Sequence, residues 1–197
     1  MAATTLLLAT TGCSSAMNMN PSVSPDPNNS TSPSEKTLWE WPLRFTAHNF
    51  SAFTYSTYGA KVIYGHRPYI NAPDDKLQIS SESLGEKYPD NLGASHLSIR
   101  NFPPPAIVTW RSKDGTPHRA EVDMADIFKD GLIRHNLRRE EIANNRNIFV
   151  PDIILEVNDR TINVYMRARI STKEEQEPGN KYSRYRYDLI KVYSKTY

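Results

Sequence analysis

Side chains able to do nucleophilic, acid–base or metal chemistry are few in this sequence and widely spaced. There is one cysteine, Cys13, and there are five histidines, His48, His66, His96, His118 and His135. A nucleophile elbow needs Gly-x-Ser-x-Gly at a tight strand-to-helix turn, and the sequence contains none. It also lacks the phosphate-cradling Gly-x-x-x-x-Gly-Lys, the dinucleotide Gly-x-Gly and the zinc-binding His-Glu-x-x-His. The acidic neighbours Asp74-Asp75 and Glu140-Glu141 are adjacent in the chain, so their side chains diverge and read as solvated loop charge, not as an acid/base pair. A single cysteine permits neither an intramolecular disulfide nor a cysteine-based zinc set. The expectation is a protein with no catalytic residue, no metal and no cofactor, which works by binding and is not an enzyme.

Chemistry suited to binding is concentrated near the C-terminus. From Arg160 onward the chain carries nine basic residues against four acidic ones, interleaved with tyrosines. Arg and Tyr anchor protein interfaces because one offers a planar fork of donors and the other a large rigid surface, both at modest entropic cost. The candidate partner-binding surface is therefore Tyr165, Arg167, Arg169, Arg184 and Arg186. An ordinary solvated sheet face is the alternative. Attraction to anionic lipid headgroups is a third reading, disfavoured because salt screens such a field within about 8–10 Å. With a net charge of only +2 and both signs spread through the body, no nucleic-acid partner is expected.

Those side chains need strands to set them in a row. After Pro151, Ile153, Leu155 and Val157 alternate with Ile154 and Glu156; a turn falls at Asn158-Asp159. Ile162, Val164, Met166, Ala168 and Ile170 then alternate with Asn163, Tyr165, Arg167, Arg169 and Ser171. Period two with one apolar face predicts antiparallel strands whose other face meets water, with Tyr165, Arg167 and Arg169 outward. Ile107 to Trp110 and His118 to Met124 flank Asp114-Gly115, a strong hairpin signal. Asp123 is placed to cap a short helix running to Asp130, with Gly131 ending it, and a second short helix is expected over 138–143. Two or three strands are expected between Leu43 and Tyr64 with Gly59 and Gly65 as punctuation. His66 to Asn91 reads as a long loop with one short strand around Leu77-Gln78-Ile79. The aromatic run from Tyr182 closes the chain as a strand or short helix. The fold class is mostly β (α+β), an antiparallel sheet or sandwich with one or two short helices.

The N-terminus has a different character. Leu6-Leu7-Leu8-Ala9-Thr10-Thr11-Gly12-Cys13-Ser14-Ser15 resembles a bacterial lipobox. The resemblance implies removal of residues 1–12 as a signal, acylation of Cys13, and anchorage to the outer membrane on its periplasmic side through lipid. The alternative is a disordered N-terminus in which Cys13 is a chance buried or free cysteine. Residues 13–37, rich in Ser, Asn, Pro and Thr, read as a flexible tether, and 38–197 as a single domain. No run of about 18 apolar residues is present that could form a membrane-spanning helix.

The block from Ile107 to Ile170 contains Val108-Thr109-Trp110-Arg111, Asp114-Gly115, His118-Arg119-Ala120-Glu121-Val122 and Arg160-Thr161-Ile162-Asn163-Val164-Tyr165. It resembles small lipoproteins encoded beside type VI secretion effectors. The resemblance implies an immunity protein, with a cognate lipase effector as partner and occlusion of that toxin as mechanism. It brings no inhibitory residues with it. The alternative function is a structural or assembly lipoprotein of the cell envelope.

Overall fold

A computed structural model describes residues 37–197. Cys13, the lipobox and nearly all of the expected tether lie outside the described residues.

Two sets of alternating apolar side chains, one on each of two sheets, face one another and fix the architecture. The strands are β1 (Ala47–Tyr55), β2 (Thr57–Tyr64), β3 (Arg67–Asn71), β4 (His96–Arg100), β5 (Ala106–Ser112), β6 (Pro117–Val122), β7 (Asp152–Asn158), β8 (Thr161–Arg167), β9 (Ile170–Ser171), β10 (Tyr185–Arg186) and β11 (Leu189–Thr196). One sheet has the order β11-β8-β7-β1-β4, the other β3-β2-β5-β6, and β9 and β10 form a small separate ribbon. From the first sheet, Phe50, Ile153, Leu155, Val157, Ile162, Val164 and Met166 meet Ala60, Val62, Tyr64, Val108, Trp110, Ala120 and Val122 of the second. That is a β-sandwich core, in which each fully buried Val, Leu or Ile contributes about 1.5–3 kcal/mol. The mostly-β expectation holds. All pairings in the two sheets are antiparallel except β1 with β7, which run parallel in register from Asn49 opposite Asp152 to Tyr55 opposite Asn158.

Several local expectations hold and several need correction. The Asp114-Gly115 hairpin forms between β5 and β6. Asp123 accepts from the Ala125 amide at 2.8 Å and caps α1 (Met124–Ile127), a single turn that ends well before Asp130. The helix expected over 138–143 is a short 3-10 turn, Arg139–Glu141. Gly59 does not end a strand. It sits inside β2 with φ 55° at a shift of register, where a Cβ would collide with the Asp74 carboxylate. The break falls instead at Ser56, a left-handed residue with φ 52° that carries the chain from one sheet to the other. Leu77–Ile79 forms no strand; β3 lies earlier, at Arg67–Asn71, paired with β2 across the Gly65-His66 turn. The alternation after Thr161 ends at Arg167, and Ile170–Ser171 turns away to pair with Tyr185–Arg186.

The largest correction concerns the outer face of the five-stranded sheet. Asn163, Tyr165 and Arg167 do point away from the sandwich core, as a period of two requires. That face is nonetheless buried: Tyr165 is 3 % and Arg167 7 % exposed. A strap comprising the 3-10 segment Ser81–Lys87 and the chain on to Leu92 lies over it. Leu92 packs with Tyr55, Ile154 and Tyr165, flanked by Leu84 and Tyr88. Beneath the strap sits Glu156, fully buried. Its carboxylate accepts from Tyr88 Oη at 2.5 Å, Asn163 Nδ2 at 2.8 Å and Tyr165 Oη at 3.0 Å. Burial, with the nearby Glu156 charge adding to it, raises the Tyr55 and Tyr165 pKa values and keeps both hydroxyls protonated. Asn158 donates to Ser81 Oγ at 2.8 Å, and the Arg167 guanidinium donates to the carbonyls of Asp90 and Leu92 at 3.0 and 2.8 Å.

Replacing Glu156 by Ala removes the acceptor of two buried donors and one half-buried one, and the expected loss is about 2–4 kcal/mol in the free energy of urea unfolding, with Glu156→Gln nearer 1 kcal/mol. An alanine variant as stable as the wild type would show that the carboxylate does not hold the strap.

Candidate functional site

Where the strap stops covering the molecule, at the β9–β10 end, four chain segments are laced together by main-chain hydrogen bonds. Leu38 N donates to Asn144 O at 2.9 Å, Ala143 N to Ser171 O at 3.0 Å, Lys173 N to Glu141 O at 2.9 Å and Thr172 N to Arg184 O at 3.1 Å. The Trp39 indole adds a bond to Ala143 O at 2.9 Å. This lacing leaves a groove of about 840 Å³, lined by Leu38, residues 143–147, Phe149, Arg169, 171–173, Lys181, Tyr182, Arg184 and Tyr185.

Its electrostatics are one-sided. Arg146, Arg169, Lys173, Lys181 and Arg184 line it, and no acidic side chain does. Among the described residues only Arg184 of these five has an ion-pair partner, Glu175 at 3.1 Å. The Arg169 guanidinium lies over the Tyr185 ring at 4.0 Å, and the Lys181 ammonium over the Tyr182 ring at 5.2 Å. Such stacking orients a cation without neutralising it, so the positive field stays available to a ligand. Two aromatic rings stand out beside these charges: Phe149 is 59 % and Tyr182 77 % exposed. Tyr182 is carried on a tight turn capped by Asn180, whose side chain accepts from the Tyr182 amide at 3.1 Å. Ser183 Oγ fixes the same turn by accepting from the amides of Gln176 and Glu177 at 3.0 and 2.9 Å.

Of the five side chains singled out from sequence, the structure brings Arg169 and Arg184 together in this groove. Tyr165 and Arg167 are interior. Arg167 stacks over the Tyr187 ring at 4.9 Å, and its Nε is buried with no hydrogen-bond partner. Arg186 sits on β10 outside the groove lining and forms a two-point ion pair with Asp188, at 3.0 and 2.8 Å. Sequence reasoning missed Arg146 and Phe149, which come from an irregular segment with no periodicity, and Lys173, Lys181, Tyr182 and Tyr185, whose excess of positive charge was visible but not their convergence.

His48 and His118 serve separate structural tasks. His48 is fully buried between Asn101, 2.7 Å from Nδ1, and the Tyr64 hydroxyl, 3.0 Å from Nε2; burial holds its pKa below the usual value. His118 Nε2 lies 3.0 Å from Ser112 Oγ, the contact a nucleophilic serine needs. Here the carboxylate of Asp114 accepts from Ser112 itself at 2.5 Å and does not orient the imidazole, and Ser112 is fully buried. The trio braces the β5–β6 hairpin, and the Ser112 bond is the first cause of the lowered Asp114 pKa. Among the described residues no group of three or more His, Cys, Asp or Glu side chains is placed to hold a metal ion, and no helix is long and apolar enough to cross a membrane.

Comparison of the chain with protein-family models, with curated proteins and with solved structures gives no match. The groove is therefore interpreted from its own chemistry.

The two arginines on either side of Ala168 separate interior from surface. Arg167→Ala strips a buried guanidinium from two carbonyls and a ring and should lower stability by about 2–4 kcal/mol, whereas Arg169→Ala should stay within about 0.5 kcal/mol of wild type. Thermal and urea unfolding of the two variants checks this; equal effects would contradict the assignment of Arg167 to the interior.

Proposed function

We propose that this chain is a lipid-anchored binding protein of the bacterial envelope, held on the periplasmic side of the outer membrane through Cys13, that protects the cell as an immunity protein. Its partner is a phospholipase effector of a type VI secretion system, and its mechanism is stoichiometric occlusion of the toxin. The observation that carries the binding part of this reading is the groove. Five cations, only one of them ion-paired, stand beside two exposed aromatic rings, and arginine and aromatic side chains are the types enriched at protein interfaces. The resemblance of the block from Ile107 to Ile170 to lipoproteins encoded beside type VI effectors is what supports the choice of partner.

An inhibitor of this kind needs location, rigidity and tight binding. The sandwich and the strap supply a stiff frame, so little ordering entropy is lost when a partner docks. Nanomolar affinity corresponds to about −12 kcal/mol, more than a handful of rim ion pairs provides. The contact must therefore centre on desolvated side chains such as Phe149 and Tyr182, with the cations steering the approach and fixing orientation.

Titrating a secreted phospholipase effector with the purified full chain should abolish lipid hydrolysis at a one-to-one ratio, with an association rate that falls as salt is raised. Undiminished hydrolysis at a large excess of the chain, with every candidate effector encoded near it, would overturn the immunity reading and favour a scaffold of the envelope.

A further inference from the structure

The chemistry of the groove goes further than the class of partner. Resting on the reading above, we infer that the groove receives a short acidic segment of the partner protein, with carboxylates flanking an apolar side chain, and that Arg169 is its anchor.

Three features converge on this occupant. The first is charge: Arg146, Arg169, Lys173, Lys181 and Arg184 surround the groove, and only Arg184 has a carboxylate to satisfy it. A ligand that fits must bring negative charge of its own, or these cations lose hydration on its entry with nothing in return. The second is the state of the two arginines. Arg169 lies over the Tyr185 ring at 4.0 Å and Arg184 is held by Glu175 at 3.1 Å, so both guanidinium groups have a partner that orients them before a ligand arrives. An oriented guanidinium pairs with a carboxylate through two parallel hydrogen bonds, and little rotamer freedom is left to lose. The third is apolar surface: Phe149 and Tyr182 come from two different segments lining the groove and are 59 % and 77 % exposed. A small inorganic anion would use the cations and leave both rings in water. A peptide segment uses all of them.

Shape separates this occupant from the other polyanions. The site is a concave, partly open groove of about 840 Å³, within the roughly 300–1,000 Å³ of clefts that take up a compact ligand. A bilayer presents a flat array of headgroups and cannot follow a concave wall without large deformation. A single nucleic-acid strand would use the same cations and rings over about 4–16 nucleotides, but the chain as a whole has a net charge of only +2, which disfavours it as a partner.

The test uses the full chain, a fluorescent peptide of alternating Glu and Leu with a Lys/Leu control, vesicles of phosphatidylglycerol in phosphatidylcholine, a single-stranded oligonucleotide, and the phospholipase itself. Both residues of the charge-reversal variant R169E/K173E are exposed, so the fold should survive, and circular dichroism checks this. The expected result is binding of the acidic peptide that is salt-sensitive, falls about tenfold or more in R169E/K173E and several-fold in Tyr182→Ala, with parallel losses in phospholipase binding. Equal peptide binding by wild type and R169E/K173E would overturn the inference. So would vesicle or oligonucleotide binding that depends on Arg169 in the absence of peptide binding. If R169E/K173E still inhibits the phospholipase as wild type does, the groove inference fails and the immunity reading stands. If the wild-type chain ignores the phospholipase but binds the acidic peptide through Arg169, the immunity reading fails and the ligand class stands.

Discussion

A carboxylate removed from water must find its hydrogen bonds inside the protein, and the way Glu156 does so governs which surfaces this molecule can offer. Its two oxygens are satisfied by Tyr88, Asn163 and Tyr165. Two of those donors belong to the sheet, or to the face it presents, and the third is carried by the strap. The strap is thereby fastened across the outer face of the five-stranded sheet, with Arg167 binding its carbonyls and Leu92 filling the space beside Ile154. No cation lies within ion-pair distance of Glu156 among the described residues; neutral hydroxyl and amide donors do the work. Such a network costs stability if any member is lost, and in return it fixes one arrangement of the strap.

The consequence reaches the far end of the molecule. With one sheet face turned to the sandwich core and the other sealed by the strap, the Tyr/Arg chemistry of the C-terminal region is divided. Tyr165 and Arg167 become structural, while Arg169, two residues beyond Arg167, emerges where β8 has ended and the small β9–β10 ribbon begins. There five cations gather, and of these only Arg184 has an acidic partner among the described residues.

How far the sequence could be read follows from what kind of signal each feature leaves. The alternation in β7 and β8 was legible because period two is a property of a single strand; the Asp114-Gly115 hairpin and the Asp123 cap were legible because they are local. What lay over the outward set was not. Tyr165, Arg167 and Glu156 have polar tips that look solvated when counted one at a time, and their burial depends on donors and acceptors from residues 81–92, a stretch whose proline, serines and charges resemble an ordinary loop. The parallel pairing of β1 with β7 likewise joins segments about a hundred residues apart and leaves no local mark. The groove falls between these cases. Its positive charge was visible as an excess after Arg160, and Arg169 and Arg184 were recognised, but Arg146 and Phe149 enter through the main-chain lacing of 143–147 to Ser171 and Leu38, which only the folded chain displays.

The most direct test of this account is hydrogen–deuterium exchange on the full chain, free and with an inhibited phospholipase bound. Protection confined to residues 143–149 and 171–185, with the strap over 81–92 exchanging equally slowly in both states, is the expected result. Protection over the strap or the β2–β3 hairpin with none in the groove would contradict it and move the binding surface to another part of the sandwich.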